Sequence, residues 1–389
     1  MKVVVIGAGV IGSAIAANLS ERGADVTVLS REHPGAATSL CSFAWYNALQ
    51  KYPVEYIDMN VNGMRCHAQY AARFVSAPWY HKGGNIEWTV GGEHADDQIK
   101  VMKDMQAFGY KGRLITAKEV LALEPDIAPA ALKDAQIVYY PDEGWIDVVL
   151  LVARLLADAR SFGAKIVTGA EVTGFDAVGD RISAVRLADG SKIEADVVVN
   201  AAGPAADDIA AYVGHSVPMT QEPGTQVYTG PVAITIDRVI HAPGISMRPD
   251  GGGRVCLHNH GIDREIKKGT GIDDQIVKTA SGYSFDVKAA GPMLERAAAV
   301  YPGLANPVVE TARIALRPIP KDRWPIIGFG SSTSNLYTTV MHSGVSQCLW
   351  VGQIVGQEIS SGKEVDYLKS FRLSRFAGRV VETVKVVHR

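Results

Sequence analysis

Residues 3–30, VVVIGAGVIGSAIAANLSERGADVTVLS, restrict the fold more than any other part of this chain. An apolar run, Val3–Ile6, leads into Gly7, Gly9 and Gly12 in GxGxxG spacing, and an Ala-rich segment follows. That order predicts a strand over Lys2–Ile6, a tight turn, a helix over Ser13–Arg22 and a second strand over Asp25–Leu29. Each glycine has its own task. Gly7 permits the turn, Gly9 lets backbone approach a pyrophosphate, and Gly12 lets helix pack on strand. The helix N-terminus offers N–H groups to an anion, and Val10 and Ile11, in the turn before it, are expected at the cofactor. The chain is therefore expected to hold a dinucleotide.

Which dinucleotide is less direct. An Asp or Glu about 20 residues past the glycines ordinarily receives the ribose hydroxyls. Here Ser30 stands in that place, followed by Arg31. A Ser-Arg pair suits the 2′-phosphate of NADP. A serine hydroxyl can also bond the ribose of FAD, with Arg31 along the adenine or at a phosphate. Both nucleotides stay open at this point.

Further along, residues 85–140 read as helical and charged, interrupted by Pro125 and Pro129 and closed by Pro141. Within them TAKEVLALEP opens on a capping box, Thr116 with Glu119, and stops at Pro125. A long helix is expected over Val148–Phe162. After it come a strand, a hairpin at Gly179-Asp180, a turn at Asp189-Gly190 and a buried strand over Ala195–Asn200. Residues 216–315 alternate β-rich runs with Gly/Pro turns, before a helix near Asp286–Val300. The segment NLYTTVMHSGVSQCLWVGQIVGQEI returns to strand, glycine turn and a helix over Val345–Ile359. Strand–helix units thus occur at the start, middle and end. The simplest assembly is one nucleotide-binding domain, discontinuous in sequence (1–84, 141–215 and 316–389). A second domain, 85–140 and 216–315, interrupts it twice.

Charge narrows the partners. The 39 basic and 41 acidic residues leave a net charge of −2, which gives no electrostatic basis for binding nucleic acid or an anionic membrane. No apolar run of about 20 residues exists, so no transmembrane segment is expected. Strand one begins too early to leave a signal peptide. Cys41, Cys66, Cys256 and Cys348 lack CxxC spacing, which favours reduced thiols and a cytoplasmic protein. Peripheral membrane docking and homo- or hetero-oligomerisation stay open.

The interleaving of nucleotide units with other material, and "AAG" closing a buried strand, resembles FAD-dependent oxidoreductases of the D-amino-acid oxidase superfamily. Glycine oxidase, sarcosine oxidase and D-amino-acid dehydrogenases belong to it. The likeness is carried in order by VIGAGVIGSAIA, GAATS, LEP, PDEGWID, GAEVTGF, ADVVVNAAG, LRPIPKDRWPIIG and NLYTTVMHSGV, nearly the whole chain. It implies an α/β, Rossmann-like FAD-binding domain and an α+β substrate domain on a mainly antiparallel sheet. It also implies oxidation of a small amine, from an amino acid such as a D-amino acid, glycine or an N-alkyl amino acid. Hydride would pass to flavin N5, giving an imine that hydrolyses to oxo acid and amine or ammonia. The final acceptor would be oxygen or an electron-transfer partner. Other readings are an NADP-dependent dehydrogenase, or the flavin-carrying subunit of a heteromeric dehydrogenase.

The resemblance also assigns roles. Arg317 matches the arginine that pins the substrate carboxylate, a task suited to a planar fork of donors. His342 precedes Gly344, Val345 and Ser346, where a helix N-terminus meets the flavin pyrimidine and favours negative charge on it. Thr38, Ser39 and Ser42 are expected at the pyrophosphate or ring, with Val172, Ala201 and Gly203 also at the cofactor. Trp45 and Tyr46 either wall the substrate cavity or belong to the core. Arg248 and His258 are candidate pocket residues, and Arg254 competes with Arg248. His258 and His260 share a strand face but lack a third ligand, so no metal is expected. RPIPKDRWPIIG has no cysteine where sarcosine oxidases link their flavin, so noncovalent FAD is expected. Cys41 is the one residue placed to contradict that.

Overall fold

A computed structural model describes residues 1–259, 261–268, 276–278, 283–330 and 333–377. Its first frame is a six-stranded sheet in the order Ile326–Phe329, Leu336–Val340, Val197–Asn200, Lys2–Ile6, Asp25–Ser30, Lys165–Thr168. All neighbours are parallel except the first pair. Such strands are apolar on both faces because both faces are covered. In the first strand Val3 and Val5 enter one core, beneath helices Val10–Glu21, Val148–Ser161 and Gly344–Ser361. Val4 and Ile6 enter another, beneath the antiparallel ribbon of Val172–Val178, Arg181–Leu187 and Lys192–Glu194. The turns at Gly179-Asp180 and Asp189-Gly190 lie between those ribbon strands.

Gly7 has φ +106°, and a Cβ there would lie 2.4 Å from the Ala201 carbonyl oxygen. At Gly12 a Cβ would lie 1.9 Å from the Gly7 carbonyl oxygen, so only glycine allows this helix so close to its own turn.

The second frame is an eight-stranded sheet in the order Val309–Leu316, Pro223–Thr229, Arg254–His258, Ile245–Asp250, Val239–Ala242, Asn85–Val90, Ala135–Tyr140, Arg113–Ile115. Its pairs are antiparallel except Val239–Ala242 with Asn85–Val90. Here residues 85–140 depart from the helical expectation. Helices Glu93–Gln106 and Ala117–Leu123 are present, the latter with the Thr116/Glu119 capping box, but three strands accompany them. The runs IEWTV and QIVYY are rich in β-branched and aromatic residues, and pairing with a distant sheet decides their state. The helix expected from Asp286 begins only at Gly291. Asp286 instead accepts the Lys288 amide and caps a short 3₁₀ turn. Among the described residues no helix is long and apolar enough to cross a membrane.

Candidate active site

The carboxyl ends of the parallel strands open into a cleft of about 490 Å³. Gly7, Gly9, Val10 and Ile11 line it from the glycine turn, and Ser30 and Arg31 from the end of the second strand. Thr38, Ser39 and Ser42 come from the following loop, Val172 from the ribbon, and Ala201 and Gly203 from the end of a third strand. His342, Gly344 and Val345 close the other side. Ser346 is not there. It is buried, and its hydroxyl accepts the Asn47 amide at 3.0 Å, because the helix turns that side away from the cleft.

Two helix N-termini converge on this space. The helix Val10–Glu21 has no side-chain cap from its N-cap residue, Gly9, and no acid in its first turn. Ser39 Oγ accepts the Val10 amide at 3.1 Å across the loop. In the helix Gly344–Ser361 the N-cap Ser343 also makes no capping bond, and Tyr56 donates to its hydroxyl at 3.0 Å instead. Both ends therefore keep backbone donors and the positive end of the helix dipole directed at the cleft. Beneath the second helix His67 Nε2 donates to the Val345 carbonyl at 2.8 Å. Burial lowers the pKa of His67 to about 4, so its ring is neutral.

At the Ser30 end the cleft does contain carboxylates. Glu32, two residues on, and Glu171 both line it, alongside His33. A window fixed at one position past the glycines misses Glu32. Its partner is Arg31 at 3.4 Å, both side chains being largely exposed. Cys41 does not line the cleft, and burial pushes its thiol up to about 11, a poor nucleophile.

A loop joins this cleft to the second sheet. The Thr38 hydroxyl donates to the Leu316 carbonyl at 2.8 Å, and the Leu40 carbonyl accepts from Arg313 at 3.3 Å. The Phe43 carbonyl accepts from Arg248 Nε at 2.5 Å. What this loop covers follows from register. Arg313 lies opposite Gln226, Ser246 opposite both His258 and His241, and His241 opposite Glu87. The Val227–Leu257 pair sets Gln226 opposite His258. Opposed residues share a face. Arg313, Gln226, His258, Ser246, His241 and Glu87 thus form one row, with Tyr228, Cys256 and Arg248 in the next. The opposite face (Val227, Leu257, Met247, Ile240 and Ile86) is core.

This polar face meets the loop's aromatic side chains. Phe43 lies 6.0 Å from His241 and 6.1 Å from His258, and Trp45 lies 4.3 Å from His241, between ring centroids. Trp45 is fixed from behind by Glu143, which accepts its indole N–H at 2.5 Å and the Tyr110 hydroxyl at 2.6 Å. Glu143 is fully buried, and desolvation raises its pKa to about 8. Tyr46 is in the core, stacked on Tyr80 and His67. Arg248 is buried on this face, bound also to Asp250 at 2.9 Å and lying 4.7 Å over the Trp145 ring. Arg254 points elsewhere, into an exposed pair with Glu310. Arg317 leans over Gly224 and pairs with Asp263 at 2.5 Å, while its neighbour Pro318 lines the cleft. His260 lies outside the described residues, among which no group of three metal ligands occurs.

The cleft fits FAD on its own terms. A Cβ at Gly9 would lie 3.2 Å from Ser39 Oγ, in the space a pyrophosphate needs, and two donor-rich helix ends flank the apolar wall of Ile6, Leu29 and Val172. Comparison with known proteins agrees. A family model described as FAD dependent oxidoreductase (DAO) matches residues 2–358. Glycine oxidase of Geobacillus kaustophilus (strain HTA426) is 25% identical over 391 residues, 97% of this chain and 98% of that protein. The crystal structure of glycine oxidase from Geobacillus kaustophilus shares the fold with a TM-score of 0.80 at 22% identity, covering 97% of this chain and 99% of that one. D-amino acid dehydrogenase of Methylobacterium radiotolerans is 25% identical over 300 residues, 73% of this chain and 65% of that protein. The nucleotide left open between NADP and FAD is FAD, and the chain belongs to the DAO family of FAD-dependent oxidoreductases.

Proposed function

We propose that this enzyme oxidises the carbon–nitrogen bond of a small amino acid to an imine, which water hydrolyses. The observation that carries this reading is the junction at residues 38–46. One loop lines the cofactor cleft and then covers a sheet face bearing Arg248, Arg313 and, beside them, Arg317. A substrate held on that face lies next to the cleft, with guanidinium groups for its carboxylate. The relatives named glycine oxidase and D-amino acid dehydrogenase support the same substrate class.

Bound FAD supplies the two-electron acceptor. The residues of this chain hold and orient. Gly7, Gly9, Val10 and Ser39 hold the pyrophosphate, while Ser30, Glu32 and Glu171 surround the ribose. Gly344 and Val345 present amides where negative charge builds. Phe43 and Trp45 exclude water above the substrate, and Glu143 fixes the Trp45 indole. Arg317 orients the carboxylate, in competition with Asp263. His342 serves by position rather than as acid or base, and FAD is held noncovalently. The test is anaerobic mixing of FAD-loaded enzyme with D-, L- and N-methyl amino acids. Loss of the visible flavin band with one of them supports the reading, and loss with none contradicts it.

A further inference from the structure

The three arginines on and beside the polar sheet face are not paired alike. Arg248 has Asp250 at 2.9 Å, and Arg317 has Asp263 at 2.5 Å. Arg313, half-buried in the row that contains His258 and His241, forms no ion pair among the described residues; its charge reaches Glu310, but that carboxylate is held by Arg254 at 2.5 Å. One of its terminal amino groups donates to the Leu40 carbonyl at 3.3 Å, and its guanidinium lies 4.2 Å over the Tyr228 ring. Its positive charge reaches the neighbouring Cys41 thiol, whose pKa it opposes raising. A guanidinium carries five N–H donors, so most of its hydrogen-bonding capacity is unspent. The stacked Tyr228 ring and the Leu40 carbonyl hold it in place without neutralising it.

Arg317 differs. A carboxylate arriving there meets Asp263, already in contact and only 13% exposed. Like charges sharing a site repel, and more so where water is partly excluded. At Arg313 the same carboxylate meets a guanidinium in no ion pair among the described residues, beneath the loop that leads to the cofactor cleft.

We propose that Arg313 contacts the substrate's carboxylate and supplies its counter-charge, a binding role that rests on the amino-acid reading above. Arg317, tethered by Asp263, is then its neighbour and orients the same group. The two guanidinium groups belong to adjacent rows of one sheet face, since Arg317 lies over Gly224, which pairs with Ala315 two residues from Arg313. Rows two residues apart are separated by about 7 Å, a span that a carboxylate between two long side chains can bridge.

The test uses FAD-loaded full-length enzyme, with benzoate as the carboxylate probe and benzyl alcohol as the uncharged control. Binding is read as a shift of the flavin spectrum and, separately, as a rise in Tm. Arg313→Met is expected to weaken benzoate at least tenfold and to leave benzyl alcohol within twofold of wild type. Arg313→Lys is expected to fall between, because an ammonium keeps the charge but cannot fork. It also decides the matter should Arg313→Met fail to retain FAD. Benzoate affinity within twofold of wild type in both variants, with the loss confined to Arg317→Met, would overturn the proposal. So would a wild type that ignores benzoate. Amino-acid turnover by wild type is followed in parallel. Turnover with unchanged benzoate binding in the variants removes Arg313 alone, whereas no turnover with any amino acid removes the reading of function.

Discussion

Ser30 ends the second strand where a carboxylate ordinarily meets the ribose, and Glu32 reaches the same cleft two residues later. Chain geometry explains the displacement: the strand finishes at Ser30, and the bend after it returns Glu32 to the cleft wall. We propose that Glu32 receives the ribose hydroxyls, with Ser30 bonding beside it. Glu32→Gln removes a charged acceptor, and such bonds contribute about 1.5–3 kcal/mol. Its exposure places the loss at the lower end, roughly tenfold in FAD affinity. Ser30→Glu should strengthen retention in a Glu32→Gln background more than in wild type. Equilibrium dialysis of released FAD checks both. Equal retention by all variants would assign the ribose to Glu171.

At the scale of elements, the glycine turn is the most sharply determined piece. Gly12→Val would drive Cβ into the Gly7 carbonyl, in a place where backbone cannot yield without moving the first strand. The variant is expected to lose FAD and at least about 3 kcal/mol of stability, by the overpacking measure of a filled core. Chemical denaturation and flavin content read it, and a stable, yellow Gly12→Val protein would contradict the assignment. This turn was legible in the sequence because all its determinants are local: one strand, three glycines, one helix. The hairpin at Gly179-Asp180 and the Thr116 capping box were legible for the same reason. The strands at 85–90, 113–115 and 135–140 were not, since short apolar runs take their state from the sheet they join. The polar row is the extreme case. Arg313, Gln226, His258, Ser246, His241 and Glu87 come from six separate strands and become one surface only through register. Arg248 and His258 could be picked out as polar residues in a β-rich stretch, but nothing local marks Arg313 or Glu143.

For the whole molecule, buried carboxylates set a pH dependence. Glu143 sits where the Trp45–Tyr46 and Gly144–Ile146 strands meet the second sheet's neighbourhood, and desolvation raises its pKa to about 8. Glu87, on the polar row, is raised to about 7 by the same cause. A carboxyl group raised in the folded state holds its proton there after the unfolded chain has released its own. Its contribution is fully present below the ordinary value near 4.5 and is lost as pH rises through about 8. Buried His67, lowered to about 4, adds stability as pH rises toward 6.5 and so opposes this, and folding stability should therefore decline most clearly from pH 6.5 to pH 8. Glu143→Gln should flatten that decline, leaving the smaller part owed to Glu87. Urea midpoints of the FAD-saturated enzyme across this range test it, and identical slopes in both proteins would mean that Glu143 is ionised in the fold.

Residues 38–46 join the flavin cleft on one sheet to the arginine-bearing face of the other, which we propose reads the substrate's carboxylate. The most direct measurement of that proposal is anaerobic flavin reduction by matched pairs, each an amino acid and the amine that lacks its carboxylate. At least one amino acid is expected to bleach the bound flavin, and its decarboxylated partner to do so at least about a hundredfold more slowly, the cost of losing a charged, forked contact of about 3 kcal/mol. Equal rates within a pair, or no reduction by any amino acid, would contradict it.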